Sequence, residues 1–204
     1  MQIKNHLLYD ATGKQVDYHL SPNHDKRKMD LKWLVIHFTA GATRTGCVNH
    51  FSNPKAKASA HLVIDRDGSI SQCVPLNCVA WHAGTSTWEG VVGSVNRNTI
   101  GIELVNFGGL TQTADGKFWS WTGKEIPASD VVMGRHKNGG PRKPWQTYTE
   151  KQLQVLEDVS KALVQEYDLL DVIGHEDISP SRKSDPGPAF HMDNFRARLF
   201  GRHE

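Results

Sequence analysis

The apolar positions of this chain fall into short, strand-length runs in its first half and a helical stripe towards its end. KWLVIHFT is an apolar run of buried-strand length that delivers His37 near its end. In SAHLVIDRDGSISQCVP, two β-rich runs flank Asp65-Arg66-Asp67-Gly68, and Asp-Gly at such a turn predicts a hairpin. NTIGIELVN is a further β-rich run and carries Glu103. TEKQLQVLEDVSKALVQEYDL changes period: Leu153, Leu156, Val159, Leu163 and Tyr167 recur at helical spacing. Thr149 and Gln152 there predict a capping box. DVIGHE predicts a short strand ending at His175, and HMDNFRARL a closing helix. CVNHFSNP predicts about two helical turns closed by Pro54.

Two stretches break the pattern. Residues 1–30 are polar and predict an irregular arm ahead of the fold. From Asn106 to Tyr148 the periodicity dissolves into Gly, Pro, Lys and Trp, a connection too long to be ordinary and therefore functional or mobile. Strands separated by helices predict an α/β chain with a central mixed sheet flanked by helices, a single domain over 1–204 with an insertion at 107–148.

Composition narrows this little. With 204 residues, 38% of them hydrophobic and 23% charged, the chain supports one substantial core. A formal charge of +2 gives no strongly basic face, so nucleic acid is not an expected partner. The three cysteines (Cys47, Cys73, Cys78) are an odd number without a C-x-x-C pair and predict free thiols rather than a disulfide framework. No apolar run reaches signal-peptide or membrane-spanning length, so we expect a soluble protein made in the cytoplasm, with no membrane partner. Oligomeric state is not legible.

The chemistry resides in histidines and carboxylates. His6, His19, His24, His136 and His203 lie in polar surroundings and read as surface. His37 and His175 differ, because each ends a predicted apolar strand, where groups from distant segments converge. A catalytic zinc site takes three protein ligands and leaves a fourth position for water. His37, His175 and Asp185 meet that demand, although their spacing alone is weak evidence. Glu103 sits among apolar neighbours. It is either on a solvent-facing side of its strand or a desolvated carboxylate of raised pKa, able to take a proton from water. Lys183 is either a solvated loop charge or a cation that stabilises an oxyanion.

Taken in order, VIHFTAG, SAHLVIDRDGSISQCVP, AWHAG, TIGIELVN and GHEDISPSRKSDPGPAF resemble the zinc-dependent N-acetylmuramoyl-L-alanine amidases, the family of AmpD-like enzymes and peptidoglycan recognition proteins. The resemblance covers roughly residues 20–106 and 149–199. It implies one zinc held by His37, His175 and Asp185, with Glu103 as general base and Lys183 as transition-state stabiliser. The implied reaction is hydrolysis of the amide between N-acetylmuramic acid and the L-alanine of the stem peptide, on peptidoglycan or muropeptides. Trp81 and His82 match a groove-lining segment. His61 reads as either a core histidine or a groove wall, and His50 as structural. Aspartate as third ligand places the chain with the AmpD-like branch, since other branches use cysteine. The alternative function, a non-catalytic peptidoglycan-binding module, requires a broken ligand set.

Overall fold

The computed structural model describes residues 1–201; His203 lies outside them. Its centre is a six-stranded mixed sheet. Across it the strands run Asp171–Gly174, Trp33–Phe38, Thr99–Leu104, Leu62–Ile64, Ile70–Gln72 and Asp17–Tyr18. The first four are mutually parallel, Leu62–Ile64 and Ile70–Gln72 form the predicted antiparallel hairpin, and the edge strand Asp17–Tyr18 is parallel to its neighbour. Gly68 takes φ +85° in the hairpin turn, where its amide donates to the Asp65 carbonyl.

Alternation along each strand sorts its side chains onto two faces. Leu34, Ile36, Ile100, Ile102, Leu104, Leu62 and Ile64 form one face, buried under Val155, Leu156, Val159 and Leu163 of the helix Glu150–Tyr167. The C-terminal helix Met192–Phe200 adds Met192 and Phe195 to that core. The opposite face takes Trp33, Val35 and Ile173 near one edge, and Val63 with Val48 and Phe51 of the helix Arg44–Ser52 nearer the other. His37 and Glu103 fall in phase with this second face.

Several details differ from expectation. The 1–30 arm is ordered: Gln2–Lys4 pairs with Leu7–Tyr9, Leu8 is wholly buried, and its amide donates to the buried Gln72 side chain. The helix before Pro54 starts at Arg44, capped by Thr43, three residues before the predicted start. Only half of the predicted capping box forms: Thr149 Oγ1 accepts from the Gln152 amide, but Gln152 Nε2 turns inward to the carbonyls of Ile64 and Val105. A buried amide side chain serves two buried carbonyls there, which outweighs one cap contact at the surface. The strand before His175 ends at Gly174, and His175 opens the short helix His175–Ile178.

The 107–148 insertion is structured. Thr111–Gln112, Phe118–Trp119 and Glu125–Ile126 form a small antiparallel sheet, and Val131–Gly134 pairs with Lys143–Gln146. Phe107, Leu110 and Ile126 give it a small core of its own. Two-residue strands are too short to show a period of two, which is why the sequence pattern vanishes there. Among the described residues no helix is long and apolar enough to cross a membrane.

Candidate active site

Three donors meet at one end of the sheet. His37 comes from the strand Trp33–Phe38, and His175 begins the helix that follows the adjacent parallel strand. Asp185 comes from the loop after that helix, held by its carbonyl accepting the Glu176 amide at 2.8 Å. His37 Nδ1 lies 2.9 Å from His175 Nδ1 and 2.9 Å from Asp185 Oδ2, and His175 Nδ1 is also 2.9 Å from Asp185 Oδ2. All three residues are buried. Burial, reinforced by the neighbouring His175, pulls His37 down to about 4, so its ring is neutral at pH 7. Burial alone would raise the Asp185 carboxyl, but its close contacts with the His175 and His37 rings outweigh burial and hold the group well below the usual range.

The next layer of side chains fixes where the protons are. Thr99 Oγ1 donates to the Val95 carbonyl at 2.9 Å, leaving a lone pair to accept from His82 Nε2 at 3.1 Å. His82 Nδ1 is then unprotonated and accepts from His37 Nε2 at 2.9 Å. His37 therefore carries its proton on Nε2 and presents a bare Nδ1 to the cluster. His175 Nε2 lies 3.2 Å from the Ala83 carbonyl, which can only accept, so Nε2 donates there and the ring directs Nδ1 at the cluster. Two imidazole Nδ1 atoms and a carboxylate oxygen thus converge within 2.9 Å of one another. Such a convergence is repulsive unless a cation sits in it, and the nitrogen and oxygen donors match an open three-ligand zinc site. His37, His175 and Asp185 are a cluster able to hold a metal ion.

The remaining candidates surround a cavity of about 740 Å³ lined by the donors, Glu103, Lys183, Trp81 and His82. Glu103 is directly across the parallel ladder from His37 and faces this cavity rather than bulk solvent. Its Oε2 is sealed from solvent and has no hydrogen-bond partner among the described residues. Burial first, then the charge of Asp185, pushes the carboxyl from 4.5 up to about 8, while Lys183 acts in the opposite direction. Lys183 is half-buried, its backbone amide tied to the Ser179 carbonyl.

The candidate groove residues separate. Trp81 and His82 line the cavity, but His82 contacts the candidate donor His37 and so acts from behind the site. His61 is no groove wall: it is wholly buried, Nδ1 accepts from the Gly101 amide and Nε2 donates to the Cys78 carbonyl. His50, expected to be structural, is exposed on the helix Arg44–Ser52 and lines the cavity. His136, expected at the surface, is half-buried and pairs with Glu176 at 2.6 Å. Glu176, next to the candidate donor His175, also accepts from the Gly187 amide and pairs with Lys137. The insertion hairpin thereby braces the segment that carries two of the donors. The three cysteines are free, as expected.

Thr99 and Glu176 belong to this arrangement, and the sequence reading missed both. Only Glu176, a carboxylate beside a candidate ligand, offered a signal.

A family profile described as N-acetylmuramoyl-L-alanine amidase matches residues 27–188. The chain is 31% identical to the 1,6-anhydro-N-acetylmuramyl-L-alanine amidase AmpD of Enterobacter cloacae, across 98% of this chain and 95% of that protein. It is also 31% identical to the N-acetylmuramoyl-L-alanine amidase AmiD of Escherichia coli, across 78% of this chain and 50% of that one. Among solved structures, an AmpD crystal structure superposes with a TM-score of 0.67 at 26% identity, covering 98% of this chain and 99% of that chain. Escherichia coli AmiD, in complex with anhydro-N-acetylmuramic acid-L-Ala-D-γ-Glu-L-Lys, superposes with a TM-score of 0.61 at 26% identity. That match covers 84% of this chain and 58% of the other.

Proposed function

The chain belongs to the N-acetylmuramoyl-L-alanine amidase family and hydrolyses the amide between N-acetylmuramic acid and the L-alanine of the stem peptide; we propose that it does so with zinc held by His37, His175 and Asp185. The observation that carries the metal reading is the meeting of two Nδ1 atoms and one carboxylate oxygen within 2.9 Å of one another.

When bound there, zinc supplies a Lewis acid that lowers the pKa of water towards about 7 and polarises a carbonyl. The residues of the chain do the rest. Asp185 brings the negative charge of the site, and His82 with Thr99 keeps the His37 proton on Nε2. Glu103 is the general base: its carboxyl faces the donor cluster from the neighbouring strand, and its Oε2 is buried with no partner among the described residues to hold a proton in place of the attacking water. It takes the proton of the attacking water and returns it to the departing amine. Lys183 offsets the negative charge on the carbonyl oxygen at the tetrahedral stage. Removal of one such stabiliser costs on the order of 100- to 1,000-fold in turnover.

The test is mass spectrometry of muropeptides digested by the purified protein. An amidase frees an intact stem peptide beginning with L-alanine. Peptides that keep their muramic acid, or that are cut internally, would overturn the reading. A non-catalytic binding module has no observation in its favour, because the donor set is complete.

A further inference from the structure

The insertion carries Phe107, Phe118, Trp119, Trp121 and Trp145, and four of these five rings are at least partly buried. Phe107 and Trp145 are 4% and 2% exposed, and Phe118 and Trp119 are half-buried in the small sheet. Trp121 alone is turned out, at 72% exposure, and it lines the cavity that holds the metal-donor cluster.

Trp121 is held in place. It sits in the turn joining Phe118–Trp119 to Glu125–Ile126, closed by the Ser120 amide donating to the Lys124 carbonyl and by Ser120 Oγ accepting from the Lys124 amide. Its indole Nε1 donates to the Ala40 carbonyl at 2.7 Å. Ala40 lies three residues past His37, with φ +51°, a left-handed conformation that a non-glycine residue keeps only where its surroundings impose it. The polar edge of the indole is therefore satisfied, while its faces remain open to water. An apolar face fixed in that way at a cavity mouth contributes nothing to the insertion core and is pre-organised for a ligand.

The chemistry of the surroundings selects the ligand. The cavity residues around Ala40 are Thr39, Gly41, Ala42 and Thr43, all uncharged. The cationic lining residues Arg182 and Lys183 come from the separate loop that carries Asp185. A stem peptide presents carboxylates, which fit the cationic loop. A glycan presents uncharged pyranose rings, whose C–H faces pack flat on an indole. The reacting lactyl carbonyl must reach the buried donors, so a ring exposed at the rim meets a sugar beyond the reacting one.

The geometry points to Trp121 as a binding platform for a pyranose ring of the glycan next to the reacting muramyl residue, which makes it a determinant of substrate size. This rests on the amidase reading above. The first test compares kcat/KM for a muramyl peptide bearing one sugar and for a tetrasaccharide bearing the same peptide. Trp121→Ala should lower the tetrasaccharide-to-monosaccharide ratio about tenfold, mainly through KM, and Trp121→Phe should restore part of it. An unchanged ratio in a variant with wild-type circular dichroism overturns the proposal, as does a loss that follows peptide length instead of glycan length. A second measurement needs no hydrolysis, so it separates this proposal from the amidase reading. Tri-N-acetylchitotriose, which contains no scissile lactyl amide, should shift the Trp121 indole N–H resonance of the wild-type protein, identified by its absence in Trp121→Phe. No shift up to about 10 mM, the range of weak single-ring contacts, overturns it.

Discussion

Glu103 and His37 are register partners on neighbouring parallel strands. A sheet with a period of two places both side chains on the face away from the helix Glu150–Tyr167, so a buried carboxylate and a candidate metal-donor nitrogen reach one cavity from adjacent backbones. The pairing gives Glu103 proximity without coordination, since the donor cluster comprises His37, His175 and Asp185 and does not include it.

Glu103→Gln should therefore keep its zinc and lose its chemistry. The substitution is nearly isosteric, and turnover should fall by at least about 100-fold, the usual scale for loss of a general base. Elemental analysis alongside a turnover assay checks both halves. Turnover within about threefold of wild type would remove Glu103 from the mechanism.

The raised pKa of Glu103 makes a separate statement about stability. Between its ordinary 4.5 and about 8, the folded metal-free protein binds more protons at this site than the unfolded chain does. Stability then falls as pH rises through that window. Glu103→Gln removes the dependence, so in metal-free protein its melting temperature should exceed that of wild type by more at pH 8 than at pH 5. An equal difference at both pH values would contradict the burial of Oε2.

His37→Ala and Asp185→Ala should each lose zinc and activity together. Either variant purified with undiminished zinc would overturn the ligand assignment.

Gly101 is needed for the chain behind His37. A Cβ there would lie 2.5 Å from Cγ of the His82 ring, a clash that a rigid ring cannot relieve without moving. Gly101→Ala should displace His82 and free the His37 tautomer. Metal affinity should drop by about 10- to 100-fold, the usual cost of losing such a partner, and competition with a chelator measures it. His82→Ala should reproduce the loss.

The His136–Glu176 pair tethers the insertion to the ligand-bearing helix. Side-chain exposures of 11% and 6% put it beyond most solvent screening. His136→Ala should destabilise the fold by about 1–3 kcal/mol, because Glu176 keeps Lys137 and the Gly187 amide. Urea unfolding checks this, and a midpoint identical to wild type would mean that the tether carries no load.

The sequence by itself determined the strands that carry His37 and Glu103, the long helix and the hairpin at Asp65–Gly68, because each is a local pattern of period or turn chemistry. It also singled out His37, His175 and Glu103, since an ionisable group at the end of an apolar strand or within one stands out against its neighbours, and the fold brings His37 and His175 together with Asp185. Tertiary structure decided the rest. Whether His61 or His82 touched the site depended on which backbone groups folded against each ring, and nothing within either motif encodes that. His136 read as surface because its partner Glu176 is 40 residues away. The insertion looked patternless because its strands are two to four residues long and draw their order from packing against Gly187, Pro188 and the ligand loop. Proton positions in the donor cluster were the least legible of all. They follow from a relay through His82 and Thr99 to the Val95 carbonyl, and a relay of hydrogen bonds exists only once the strands that hold its members lie side by side.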